Sequence, residues 1–294
     1  MYVIVGANGF LGSYMQKAIR EMTDETVLAL DVNFAGVKND DRTTWMQCNI
    51  TNAEDVEKVQ NVLGQNKDNK IIYLAAYHHP DLVEKNPRLA WDINITALSN
   101  FINRMEHVKC LFYPSTDSVY GNSDSVYHFK ETDALNPVNR YGKHKAAAEC
   151  LVNTYGYNVV RFPFLIAPSL LPHKKHFYDQ IAETISVGEP MKMFVDSMRS
   201  SLDFGTVAEL VVRLIENYRD DMPKILNVSG DDDLSKYDVG IMIADKLGVS
   251  RDLIKPIASD QSEGIFEAAR AKSTLLDNSE IKKFLGLDEI KIHL

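Results

Sequence analysis

The stretch "VIVGANGFLG" (Val3–Gly12) runs from a β-branched apolar segment directly into glycines at positions 6, 9 and 12. "YVIVG" reads as a strand and "SYMQKAIREM" as a helix, so the glycines fill a strand-to-helix turn. In that context Gly6 allows the tight turn. Gly9 lets backbone approach a pyrophosphate at the helix N-terminus, and Gly12 permits close helix–strand packing. Asn8, Phe10 and Leu11, lying between them, are further candidate contacts. Asp31 ends the next apolar run, "TVLALD", about twenty residues on, where a carboxylate accepts hydrogen bonds from an adenosine ribose and repels a 2′-phosphate. NAD is therefore favoured, and Lys38 and Arg42 close by keep NADP open. Asn49 and Ile50 in "CNITNAED" could flank an adenine, although Asn49 reads equally well as a turn residue.

The alternation continues outward. "AEDVEKVQNVLGQ" is helical, "KIIYLAA" a strand, "PRLAWDINITALSNFINRME" a long helix and "VKCLFYPS" a strand; "RYGKHKAAAECLVNTYG" and "YNVVRFPFLI" repeat the pair. Fully apolar strands separated by helices predict a doubly wound parallel α/β sheet covered on both faces. After Pro168 the pattern loosens. Helices are expected in "HFYDQIAETISVG", "GTVAELVVRLIENYRD", "SKYDVGIMIADKLG" (Ser235 as N-cap) and "NSEIKKFLG", with a strand in "KILNVSG". No repeat or Gly/Ser linker appears. The expected organisation is a dinucleotide-binding domain over 1–167 and a smaller α/β substrate lobe over 168–294, the two interleaved.

The 294 residues carry a net charge of −9, which argues against a nucleic-acid surface and leaves anionic ligands to local cations. No apolar run is long enough for a membrane span, and with a strand beginning at Tyr2 no targeting segment is expected. Three scattered cysteines, Cys48, Cys110 and Cys150, suggest free buried thiols and a cytoplasmic location. His78–His79 and "HKKH" (His173–His176) lack acidic or cysteine partners at coordination spacing, so no metal is expected. "HKKH" reads as a loop near the entrance that draws in an anionic substrate.

"PVNRYGKHKAAAE" (Pro137–Glu149) places Tyr141 four residues before Lys145, on one helical face. A nearby ammonium lowers a phenol's pKa and fits it for proton exchange. Thr116, in "YPSTDSVYG" (Tyr113–Gly121), ends a strand at the rim where open α/β sheets bind ligands. Together with the glycine turn and "YLAAY" (Tyr73–Tyr77), these motifs resemble an extended short-chain dehydrogenase/reductase over nearly the whole chain.

Within that family the chain is similar to sugar-nucleotide epimerases, dehydratases and reductases. "AAYHHPDLVEKNP" (Ala75–Pro87) resembles dTDP-4-dehydrorhamnose reductases. "RSSLDFGTVAEL" (Arg199–Leu210) sits where epimerases carry Arg-Asp-Phe-x-His-Val-Asp-Asp-Val-Ala; Arg199, Val207 and Ala208 match, whereas Ser200, Asp203, Gly205 and Thr206 do not. The resemblance implies a Rossmann fold with NAD or NADP. Thr116, Tyr141 and Lys145 would be catalytic, Lys145 also binding the nicotinamide ribose. Leu74, Ala75 and Ala76 would line the cofactor, and Asn94 would support the site. His78 and Asp117 would face a nucleotide-sugar substrate, and Arg199 and Arg270, in preference to Arg161, would hold its diphosphate. The dehydratase triplet Thr-Asp-Glu is here Thr116-Asp117-Ser118, so elimination of water lacks its second acid. The expected activity is 4-keto reduction with Tyr141 as general acid. The alternatives are an NAD-dependent epimerase and a non-catalytic dinucleotide-binding regulatory protein. By analogy the helices 87–106 and 143–156 would pair in a homodimer.

Overall fold

The computed structural model describes residues 1–105, 107–123, 126–259 and 266–294. Its centre is a seven-stranded parallel sheet. The first half of the chain supplies β1 (Tyr2–Val5), α1 (Phe10–Met22), β2 (Val27–Asp31), β3 (Thr43–Gln47), α2 (Ala53–Leu63), β4 (Lys70–Tyr73), α3 (Pro80–Lys85), α4 (Pro87–Trp91), α5 (Ala97–Arg104), β5 (Cys110–Thr116), β6 (His128–Phe129), α6 (Arg140–Thr154) and β7 (Asn158–Phe162). The second half supplies α7 (Phe177–Ser186), β8 (Met191–Phe194), β9 (Met198–Arg199), α8 (Phe204–Glu216), β10 (Ile225–Asn227), β11 (Leu234–Ser235), α9 (Lys236–Leu247), β12 (Ile254–Ile257), β13 (Ser273–Leu276) and α10 (Ser279–Leu285).

The main sheet runs β10-β7-β5-β4-β1-β2-β3. Successive side chains of a strand point to opposite faces, so β1 feeds two cores. Tyr2 and Ile4 pack with Met15 and Ile19 of α1 and with Val207 and Val211 of α8. Val3 and Val5 pack with Val59 of α2, Phe101 of α5 and Val152 of α6. Strand order reverses between β1 and β4, and that switch opens a crevice at the carboxyl ends of the strands. The division expected at residue 167 is crossed twice. β10 joins the main sheet, while β6 joins a small mixed sheet ordered β11-β9-β13-β6. A third sheet pairs β8 with β12.

The long helix expected over 87–106 is instead α4, a π-helical stretch Asp92–Thr96 and α5; its last residue, Glu106, lies outside the described residues. Cys48 and Cys110 are buried as expected, but Cys150 is exposed on α6, which corrects the reading of three buried thiols. Among the described residues no helix is long and apolar enough to cross a membrane.

Candidate active site

The glycine turn follows from sterics. Gly6 has φ +89°, and a Cβ there would lie 2.8 Å from the Ala75 backbone nitrogen. A Cβ on Gly12 would lie 2.5 Å from the Ala7 carbonyl oxygen. Gly9 caps α1 with no side chain across the helix end, so the first-turn N–H groups have no acceptor within the helix. Gly6, Gly9, Phe10, Leu11 and Gly12 line one cavity of about 970 Å³, together with Leu74 and Ala76. The cradle and its donors fit an anionic dinucleotide.

Asp31 stands at the carboxyl end of β2. Its Oδ2 accepts from the Asn8 N–H at 2.8 Å and its Oδ1 from the Asn33 N–H at 3.0 Å. The carboxylate keeps further acceptor sites for a ribose. Arg42 is turned away, its guanidinium held by the carbonyls of Arg20, Thr23 and Glu25. Asn49 accepts from the Thr51 N–H and hydroxyl and so is a turn residue, while Ile50 is packed in the core. Neither they nor Asn8, Asp31 and Ala75 are among the described residues that line the cavity.

Thr116 ends β5 and caps a short 3₁₀ turn, its Oγ1 accepting from the Ser118 N–H and donating to Asp117 at 3.0 Å. Tyr141 and Lys145 sit one turn apart on α6, whose N-cap Asn139 accepts from the Gly142 N–H at 2.9 Å. Thr116, Asp117, Tyr141 and Lys145 all line the cavity that holds the glycine turn. The expected lowering of the Tyr141 pKa by Lys145 is not what this geometry produces. Burial and then the Asp117 charge raise the phenol well above its usual range, and only the Thr116 hydroxyl acts against them. The Lys145 ammonium instead donates to Tyr113 Oη at 3.0 Å and to the Pro114 carbonyl at 2.6 Å.

Burial brings Lys145 down to about 7. Between about 7 and the ordinary value of 10.5 the unfolded chain therefore binds more protons, so stability should rise with pH across that window. Lys145→Met is expected to flatten this slope in urea unfolding followed from about pH 6 to about pH 10. An unchanged slope would mean that Lys145 titrates elsewhere.

Asp117 also pairs with Arg199 at 3.0 Å, yet burial still raises its carboxyl. Arg270 pairs with Asp81 at 3.0 Å, and both arginines line the cavity. Arg161 does not. It is 2% exposed, paired with Glu149 at 2.6 Å and bonded to the Tyr120 hydroxyl, a structural ion pair in the core. Asn94, in the π-helical stretch, fixes the loop after β4 by exchanging hydrogen bonds with the backbone of Tyr77 at 2.8 and 3.0 Å. His78 and His79 line the cavity with their side chains exposed to it, and partial desolvation by the surrounding protein lowers the His78 pKa.

The "HKKH" loop borders the cavity through His176, and its lysines and His176 are partnered. Lys174 bonds the Asn8 carbonyl, Lys175 pairs with Glu183, and His176 caps α7 against Phe10 and Phe204. The cavity wall also holds residues that no motif announced: Lys236, Phe164, Phe177, Phe194 and Phe266. Lys236 follows the N-cap Ser235 and reads in sequence as an ordinary first helical residue. Only packing shows its ammonium 5.6 Å from the Phe164 ring centre, with burial and the neighbouring Arg199 and Arg270 lowering it to about 8.

The RmlD substrate binding domain family matches residues 1–291 of the chain. The chain belongs to that family. Among curated relatives, the probable low-salt glycan biosynthesis reductase Agl14 of Haloferax volcanii is 25% identical over 98% of this chain and 94% of its own. The methionine adenosyltransferase 2 subunit beta of Xenopus tropicalis is 27% identical over 96% of this RmlD-type chain and 81% of its own. Two solved structures show the shared fold. The dTDP-4-dehydrorhamnose reductase of Bacillus anthracis, in complex with NADP, is 22% identical with a TM-score of 0.78 over 99% of this chain and 94% of that one. The UDP-glucuronic acid 4-epimerase of Bacillus cereus, solved with NAD, is 18% identical with a TM-score of 0.81 over 99% and 95%.

Proposed function

We propose that the chain is an NAD(P)-dependent oxidoreductase that reduces the 4-keto group of a nucleotide-diphosphate sugar. One observation carries the reading: the glycine turn, Thr116, Tyr141 and Lys145 open into a single cavity whose lining also holds Arg199, Lys236, Arg270 and several aromatic rings. The dinucleotide would be held by the backbone of Gly9–Gly12, by Asp31 and by Lys145, with Ala75 and Ala76 beside it. Asp31 favours NAD over NADP. When bound, the dinucleotide supplies the hydride.

The rest is work for side chains. Tyr141 donates its proton to the carbonyl oxygen as that oxygen becomes a hydroxyl. A phenol with a raised pKa holds that proton at neutral pH, which suits reduction. Thr116 holds the reacting oxygen, and Asp117 and His78 border it. Arg199, Arg270 and Lys236 face the diphosphate, and Lys236 is the group with no carboxylate in salt-bridge contact among the described residues. The exposed Leu89 and Trp91 of α4 support dimer formation through that face.

A panel of nucleotide 4-keto sugars, incubated with NADH or NADPH, tests the reading. Stoichiometric cofactor oxidation with one of them is expected. Bound, non-exchanging NAD together with epimerisation would favour the epimerase instead. The subunit-beta relatives favour a second reading, a dinucleotide-binding regulatory subunit. That reading predicts dinucleotide binding with no turnover on any member of the panel.

A further inference from the structure

The segment from Pro168 to His176 belongs to the second half of the chain, yet it straps the glycine turn of the first. The Tyr14 hydroxyl on α1 donates to the Pro168 carbonyl at 2.7 Å, and the His176 ring stands edge-on to Phe10 with centroids 4.9 Å apart. Between them Lys174 Nζ donates to the Asn8 carbonyl at 2.8 Å. Asn8 is 1% exposed and is fixed from its other side, its N–H bonded to Asp31 and its amide nitrogen to the Asn33 and Ala35 carbonyls.

That single carbonyl occupies one of the three donors on the Lys174 ammonium. No carboxylate lies within salt-bridge distance of it among the described residues. The glycine turn needs such a charge. The first turn of α1, Phe10-Leu11-Gly12-Ser13, contains no basic side chain, Asp31 places a carboxylate beside the turn, and the whole chain carries −9. A helix N-terminus alone contributes only partial charge toward a doubly charged pyrophosphate.

We propose that Lys174 supplies the cation that holds a dinucleotide's pyrophosphate at the glycine turn, completing from the second half of the chain a site whose backbone comes from the first. This inference rests on the dinucleotide reading above. The Asn8 carbonyl directly precedes the N-cap Gly9, so the ammonium is anchored next to the helix end where pyrophosphate binds, Lys174 itself lying outside the described residues that line the cavity. It also joins the two halves of the chain at the cofactor, so binding would tighten the strap as well as the turn.

The experiment is calorimetric titration of ADP-ribose, NAD and NADP into the full-length protein and its Lys174→Met and Lys174→Arg variants, with adenosine binding followed by ligand-observed NMR. Lys174→Met is expected to weaken ADP-ribose and NAD about tenfold or more and to reduce the salt dependence of binding, leaving adenosine within about twofold. Lys174→Arg should keep most of the affinity and so shows that a fold intact at this position still binds. An equal loss on adenosine would overturn the inference by reducing Lys174 to a prop for the turn. Unchanged ADP-ribose affinity would overturn it outright, and a loss confined to NADP would move the ammonium to the 2′-phosphate. A wild-type protein that fails to bind ADP-ribose would remove the dinucleotide reading and this inference with it.

Discussion

Tyr141→Phe is expected to lower turnover by about 10²–10⁴-fold while dinucleotide affinity stays within a few-fold. The substitution removes one hydroxyl from a half-buried ring and leaves its packing in place, so the fold and the glycine turn should be untouched. What disappears is the proton donor next to Thr116. The same argument predicts that catalysis falls without a matching rise in KM, because the phenol acts on the reacting oxygen rather than on the rest of the substrate. Steady-state kinetics on the substrate identified by the panel, with calorimetry for NAD, separates the two effects. Retained turnover would mean that another group moves the proton.

Arg161→Met should instead act on stability. Arg161 and Glu149 are 2% and 3% exposed and stand 2.6 Å apart, so removing the guanidinium leaves a carboxylate buried without its partner. The expected loss is about 3–5 kcal/mol in urea unfolding. Replacing both partners with apolar residues of similar volume should recover most of it, since the pair itself is worth little against a hydrophobic equivalent. KM for substrate in the surviving folded fraction should not change. A raised KM with stability intact would return Arg161 to the substrate site.

These two substitutions also mark where sequence reading succeeds. The Tyr141–Lys145 spacing and the glycine turn are local, set within a few residues of chain, and a buried parallel strand such as β1 reads as an unbroken apolar run. Arg161, Arg199 and Arg270 look alike in sequence. What separates them is which acid each meets across the fold: Glu149 in a closed core, or Asp117 and Asp81 at the cavity wall. The direction of the Lys145 side chain was equally hidden, because Tyr113 and Pro114 reach it from a strand about thirty residues away.

β6, β9 and β11 are two residues long and exist only through pairing with distant segments, so no period could reveal them. Lys236 belongs to the same class of miss. Its helix was legible from Ser235, but its position in the cavity wall beside two rings depends on Phe164 and Phe177 arriving from earlier parts of the chain. The π-helical stretch at Asp92–Thr96 adds one such surprise inside an otherwise legible helix. It places Asn94 where its amide can clamp Tyr77.

A crystal structure of the protein with NAD bound tests the central claim most directly. The account predicts the pyrophosphate over Gly9–Gly12, Lys145 on the nicotinamide ribose, and the Tyr141 and Thr116 hydroxyls facing the same side of the nicotinamide ring. A nicotinamide outside the cavity, or a Tyr141 hydroxyl walled off from it, would contradict the account.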